Sequence, residues 1–246
     1  MIKVIKNFFK SRRSNTVGIV CMVCFVFFTV FGCEKHIVNN NDDDNSIQQE
    51  QIVITTIPKG SVDFEMDGTG TATIYYGDRN ESTTHTFENL DPNIKYGYLF
   101  LPVTDSACKI IITGNITSFI CKGYIASIDV SKNNALTKLC CNGLLTNLDI
   151  SKNTALTYLD CTRYDIRKYN ELKLTSLDLS NNTALTYLKC HYHNLTTTAL
   201  NDLFESLHSN IISGGKEMHI SLSYETKDCN ISIAESKGWN VNVSYY

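Results

Sequence analysis

Apolar positions recur in one fixed frame through the second half of the chain. Ile116, Phe119 and Cys121 are followed by Leu136, Leu139 and Cys141, by Leu156, Leu159 and Cys161, and by Leu185, Leu188 and Cys190. These segments start 20, 20 and 29 residues apart. A second string runs between them: Ile128-Asp129-Val130-Ser131-Lys132-Asn133, Leu148-Asp149-Ile150-Ser151-Lys152-Asn153 and Leu177-Asp178-Leu179-Ser180-Asn181-Asn182. Side chains alternate in an extended segment, so Leu139 and Cys141 share one side while Cys140 takes the other. One such unit cannot bury its apolar edge alone. Neighbouring units therefore stack and share a core.

In that arrangement Cys121, Cys141, Cys161 and Cys190 form an inward ladder of small buried hydrophobes. Asn133, Asn153 and Asn182 are expected to bond exposed backbone at turns. Asp129, Asp149 and Asp178 are expected at solvated positions that bond to turns, with attraction of calcium as the alternative. A period of 20 residues falls in the leucine-rich-repeat range. The fold expected is an α/β leucine-rich-repeat solenoid, β-dominated and with few repeats.

Both flanks read as caps. Val62, Phe64 and Met66 alternate with polar residues, as do Ala72, Ile74 and Tyr76, and Asp67-Gly68-Thr69-Gly70 between them suggests a β-hairpin. Further strands are expected around residues 85–87, 96–100 and 109–113. They complete a small N-terminal β-domain that covers the first repeat. Beyond the repeats, Leu200, Leu203, Phe204 and Leu207 follow helical spacing after Thr198. Met218, Ile220, Leu222 and Tyr224 then alternate, Ser232 to Glu235 reads as a capping box, Gly238 as a helix stop, and Trp239, Val241 and Val243 alternate again. This predicts a β-α-β C-terminal cap.

The N-terminus changes the picture of where the fold sits. Lys3, Lys6, Lys10, Arg12 and Arg13 precede an uncharged apolar run from Thr16 to Phe31, and Gly32-Cys33 follows. A basic segment, a short apolar core and a small residue make a secretory signal. The other reading is an uncleaved anchor, although the run is short for a spanning helix. Val30-Phe31-Gly32-Cys33 resembles a lipobox, in which Cys33 would be lipidated, with bulky Phe31 a departure from the usual small residue. The polar, acidic stretch that follows, with Asp42, Asp43 and Asp44, reads as a tether. The organisation expected is a signal over 1–32, a tether over 33–50, an N-terminal cap over 51–115, repeats over 116–196 and a C-terminal cap over 197–246.

The repeat wording, from Leu136-Thr137-Lys138-Leu139-Cys140-Cys141 to Leu185-Thr186-Tyr187-Leu188-Lys189-Cys190, resembles internalin-type leucine-rich-repeat lipoproteins of gut Bacteroidetes. The stretches 68–87 and 195–241 are similar to the caps of those proteins, so the likeness covers roughly residues 50–246. The chain departs from them in its few repeats and in an insertion between Leu156 and Leu185. The resemblance implies an outer-membrane, surface-exposed interaction protein and no activity.

Composition excludes more than it assigns. A net charge of −3 over 246 residues gives no concentrated basic face, which argues against nucleic acid as the main partner. Of ten cysteines, Cys21, Cys24 and Cys33 belong to the signal, and the seven others make a poor disulfide framework. There is no P-loop, GxSxG, HExxH or GxGxxG motif, so neither an enzyme nor a cofactor is expected.

The outward residues of the L-x-C strands should line a concave face. Tyr158, Asp160, Thr162, Tyr187, Lys189 and His191 lie there, with Tyr158 and Tyr187 expected as neighbours. The insertion adds Arg163, Tyr164, Arg167 and Tyr169 as further ligand-binding candidates. Exposed aromatics among mixed charges suit recognition of another protein, host or bacterial, and glycan is the alternative. Ordinary solvation of these positions, and a protein that only spaces the envelope, are the plainer readings. His191 and His193 would share a side if both lay on a strand, which makes a metal conceivable, but no third ligand is fixed in sequence and no metal is expected.

Overall fold

The computed structural model describes residues 50–58, 61–76, 81–86, 97–102, 107–163, 172–193 and 195–245. The expected signal, lipidated Cys33 and all of the tether but Glu50 lie outside these residues, as do Tyr164, Arg167 and Tyr169 of the insertion. The described part is β-dominated, with a mixed, mostly open sheet and few helices.

One strand organises the sheet. β5 (Lys109–Gly123) is 15 residues long and lies between different partners at its two ends. Its first half, residues 109–113, pairs antiparallel with β1 (Gln51–Thr56), which pairs in turn with β6 (Ile125–Asp129). Its second half, residues 118–122, pairs parallel with β7 (Lys138–Asn142). Along its other edge runs β2 (Ser61–Tyr76), antiparallel throughout. β5 thus turns an antiparallel arrangement into a parallel one without a break at residues 115 and 116, where the sequence divides cap from repeats.

β2 corrects the expected hairpin. Residues 61–76 form one 16-residue strand, and Asp67-Gly68-Thr69-Gly70 is a bulged stretch where the register to β5 shifts. The physical reason is a close backbone approach. A Cβ at Gly68 would lie 2.1 Å from the Asn115 carbonyl oxygen, and Gly70 has a φ of 72°. The glycines let the strand bend past β5, as bulges do, and do not reverse it. β3 (Glu81–Thr86) and β4 (Gly97–Pro102) each pair antiparallel with β2.

From β7 onward the strands are parallel and in register. Leu139, Leu159, Leu188 and Met218 are successive partners across β7, β8 (Tyr158–Asp160), β9 (Tyr187–Cys190) and β10 (Lys216–Leu222). All four are fully buried. Cys121, Cys141, Cys161 and Cys190 are buried in one column behind the sheet, as expected of inward positions. Burial pushes the thiol pKa of Cys121 and Cys141 well up, so both stay protonated and pack as apolar groups.

Two side-chain ladders fix the stacking. Each repeat threonine donates to the carbonyl of the preceding one: Thr137 to Thr117 at 2.9 Å, Thr157 to Thr137 at 3.0 Å and Thr186 to Thr157 at 3.1 Å. Asn153 donates to the carbonyls of Val130 and Asn133 at 3.0 and 2.7 Å, and Asn182 donates to those of Ile150 and Asn153 at 3.0 and 2.9 Å. This revises the role expected of the asparagines. They are buried and bridge consecutive repeats: the Asn133 carbonyl has no other donor among the described residues, and those of Val130, Ile150 and Asn153 gain a second one beside a backbone N–H. The aspartates stay exposed, and the Oδ1 atoms of Asp129, Asp149 and Asp178 accept from the N–H two residues on, each at 2.9 Å. The Ser131 hydroxyl, which donates to Asp129 at 2.6 Å, and then the Ser131 N–H hold the Asp129 carboxyl below the usual carboxylate range, and the Ser151 N–H does the same for Asp149.

The C-terminal part continues the same sheet. α1 (Thr197–Ser206) buries Leu200, Leu203 and Phe204. Its cap is Thr196, which accepts from the Ala199 N–H at 3.1 Å, and not the expected Thr198. β10 ends at Leu222, so Tyr224 is outside it and 82% exposed. α2 (Ser232–Ser236) starts after Ile231 with no side-chain cap, so the expected capping box does not form: Ser232 donates to Asn230 instead. Gly238 stops this helix with a φ of 81°, and β11 (Trp239–Tyr245) pairs parallel with β10. Among the described residues no helix is long and apolar enough to cross a membrane.

The asparagine ladder yields a graded prediction. Asn153→Ala removes an amide donor from two buried carbonyls, leaves that of Asn133 with none, and should cost about 1–3 kcal/mol in urea unfolding. Asn133, whose amide has no partner among the described residues, should cost clearly less when replaced by alanine. Equal losses at both positions would show that the amides fill space and do not lock the repeats.

Candidate functional site

The face opposite the core carries the candidate site. Because cross-strand partners share a side, the register places Asp67, Ser118, Lys138, Tyr158, Tyr187, Glu217 and Asn240 in one row. A second row holds Glu65, Ile120, Cys140, Asp160, Lys189, His219 and Asn242. Next to it lie Asp63, Lys122 and Asn142, with Thr162 and His191 beyond the ends of β8 and β9.

Tyr158 and Tyr187 stack face to face, with ring centroids 4.4 Å apart and planes within 5°. In-register parallel strands force this, since identical positions on neighbours stand about 4.8 Å apart. The outer faces of the pair are also occupied. The Lys138 ammonium stands 5.2 Å from the Tyr158 ring centroid, and the His219 ring lies 5.3 Å from that of Tyr187. With its faces taken up, the half-buried pair has only its edges left to offer. Burial, then the neighbouring Cys140 and Tyr187, push the Tyr158 hydroxyl pKa up, so the group is a neutral donor and acceptor.

Polar groups around the stack are held by one another. The Asp160 carboxylate accepts from the Asn142 amide at 3.1 Å and the Thr162 N–H at 3.0 Å, and the Lys189 ammonium is 4.0 Å away. Glu217 accepts from Asn242 at 3.1 Å and lies 2.9 Å from His219. His191 pairs through Nδ1 with the Ser221 hydroxyl at 2.9 Å, while burial and the nearby Lys189 lower its pKa. Cys140, expected on this face, is there but covered. Burial and then Asp160 push its thiol up to about 11, which keeps it from being a reactive thiolate. Asp63 and Glu65 line a shallow hollow of about 130 Å³ with Ile120 and Lys122.

Tyr158, Asp160, Thr162, Tyr187, Lys189 and His191 are thus gathered on one surface. Arg163 is not with them. Alternation from Cys161 turns it inward, where it is buried and its Nε donates to the Leu172 carbonyl at 3.1 Å. It ties together the two ends of the insertion. Sequence reasoning missed Asp63, Glu65, Glu217, His219 and Ser221 as members of the same face. The signal was present in the alternation of Met218, Ile220 and Leu222, which sets 217, 219 and 221 on the other side. The cap strands read as covers from sequence, and the structure adds that they extend the sheet.

The two histidines expected on one side are separated. Tyr192 has a φ of 62°, which turns the chain after β9, and His193 enters the core. Its Nδ1 accepts from the Leu174 N–H at 3.2 Å and its Nε2 pairs with the Cys161 carbonyl at 2.5 Å. Sγ of Cys161, Sγ of Cys190 and a ring nitrogen of His193 lie within 4.8 Å of one another, which is ligand spacing for a soft metal. Both ring nitrogens are nevertheless engaged. The Cys190 thiol and burial also hold the Cys161 thiol protonated. As it stands, the trio is a hydrogen-bonded core contact.

His193 gives this region a pH signature. Burial lowers its pKa to about 4 from an ordinary 6.5, so the unfolded chain takes up the proton first as the pH falls. Stability should be full above pH 6.5 and drop through the window down to 4, by about 3 kcal/mol at about 1.4 kcal/mol per unit. Urea midpoints measured across that window should slope in the wild type and flatten in His193→Gln. Parallel slopes would assign the loss to carboxylates instead.

No family model, curated protein or solved structure matches the chain, so the chemistry of this face has to speak for itself.

Proposed function

We propose that the chain is an envelope lipoprotein whose repeats form a short leucine-rich-repeat solenoid of the internalin-like kind, and that it binds another protein through the tyrosine-bearing face of its sheet. The repeat period and the in-register parallel strands support the solenoid. The basic-apolar start and the Gly32-Cys33 junction support export and lipidation at Cys33.

One observation carries the choice of partner. Sugars dock on aromatic side chains through an open ring face, and here Lys138, Tyr158, Tyr187 and His219 cover one another in a row. The half-buried tyrosines, flanked by Asp160, Lys189 and Glu217, match the amphipathic anchors of protein interfaces. Their rigidity lowers the ordering cost of binding.

Peptides selected from a displayed random library against the wild type should lose about tenfold in affinity, about 1.4 kcal/mol, to Tyr158→Phe or Tyr187→Phe, with melting unchanged. Phenylalanine keeps the stack and deletes only the hydroxyls. Selected peptides that ignore both variants, or binding confined to a glycan panel, would sink the protein-binding face. Location is tested separately. Protease added to intact cells should remove the full-length lipoprotein while a periplasmic control survives, and protection until the outer membrane is opened would turn the search to periplasmic partners.

A further inference from the structure

β11 is the last strand of the sheet order, and among the described residues its only strand partner is β10. Alternate residues of a strand turn their N–H and C=O to opposite edges, so half of its backbone groups face away from β10. No hydrogen bond is made to them by any described residue. Open edges of this kind are normally blunted with charge, proline or a bulge. β11, Trp239-Asn240-Val241-Asn242-Val243-Ser244-Tyr245, has no charged residue and no proline, and its register to β10 is unbroken. At the opposite end of the sheet the edge strand β6 is five residues long and carries Asp129.

The order of residues in β11 also matches itself when reversed. In an antiparallel pairing about Asn242, Trp239 stands opposite Tyr245, Val241 opposite Val243, Asn240 opposite Ser244, and Asn242 opposite its own copy. Apolar residues meet apolar ones on the core side, and polar residues meet polar ones on the outer side. Tyr245, 73% exposed, would gain an aromatic neighbour across the junction. Two-fold pairing places every side chain against a copy of the same strand, so any charge brings a like charge near it; β11 has none.

We propose that β11 is a self-association edge, and that two copies of this chain join antiparallel strands about Asn242 into one continuous sheet. The two tyrosine-bearing faces then lie on the same joined sheet, and one partner molecule can engage both copies. The joint itself is independent of whether that face binds protein.

The test uses the full chain purified in mild detergent and followed by sedimentation. Wild type should be dimeric. Asn242→Lys and Asn242→Asp, each placing like charges directly opposite, should raise the dissociation constant roughly tenfold, with circular dichroism unchanged. Mixing the two variants should restore the dimer, because the lysine introduced in one copy then faces the aspartate introduced in the other. A second pair guards against misfolding caused by substitution of Asn242: Asn240→Lys with Ser244→Asp in one chain should dimerise, and Asn240→Lys with Ser244→Lys should not. A monomeric wild type, a dimer indifferent to charge at this central position, or a mixture that stays monomeric would each overturn the proposal.

Discussion

Every neighbour relation on the outer face depends on register, and register is held from behind by buried asparagine amides. Asn153 and Asn182 each span to two carbonyls of the preceding repeat. A slip of one residue would break those amide bonds, leave the Asn133 carbonyl with no donor and turn leucines outward, so the alternatives are costly on both counts. The threonine ladder repeats the constraint at the start of each strand. The Tyr158–Tyr187 stack is the visible result on the other side: its 4.4 Å spacing is the strand spacing of a sheet kept in step.

Such a ladder needs a first rung, and β5 supplies it. A leading repeat has no predecessor to bond, and its open edge would expose Phe119 and Cys121. β5 meets this by pairing with β2 along its whole length and with β7 only over its second half. The core passes through it without interruption, from Ile52 and Phe64 to Leu139 and Leu159. Asn133 marks the changeover. It accepts from Asn153 through its carbonyl, but its own amide atoms find no partner among the described residues, because what precedes it is antiparallel cap and not another repeat.

Sequence periodicity is most informative where one residue type repeats under one constraint. The apolar column, the inward cysteines and the adjacency of Tyr158 and Tyr187 follow from alternation and a 20-residue period, and these placements agree with the structure. Legibility fails where backbone geometry or a distant partner decides. Asp67-Gly68-Thr69-Gly70 reads as a turn, yet whether glycines reverse a strand or bulge it depends on what stands across from them, here Asn115. Arg163 reads as a loop cation, but its parity relative to Cys161 turns it inward to Leu172. His193 reads as a strand residue, until the left-handed Tyr192 redirects the chain. That the flanking strands join the sheet they are expected to cover is not legible either, because alternation tells which side a residue faces and not which sheet it joins.

The sheet of the single chain also explains why charge is a poor guide to this protein. Read across the strands, the outer face runs from Asp63, Glu65 and Asp67 on β2 to Lys122 on β5 and Lys138 on β7, then Asp160 on β8, Lys189 on β9 and Glu217 beside His219 on β10. Neighbouring strands largely cancel, which leaves no extended field of one sign to draw a partner from a distance. Charges so arranged act over one or two strand spacings, where they discriminate between partners by matching or opposing them and add little to the rate of encounter. On this face the groups that are already ordered and partly desolvated are the two tyrosines, which is what the proposed binding reading draws on. Their stack is set by backbone register, so under the proposed reading a partner would not have to order it. The packing that stabilises the fold is in this sense the same packing that prepares the surface.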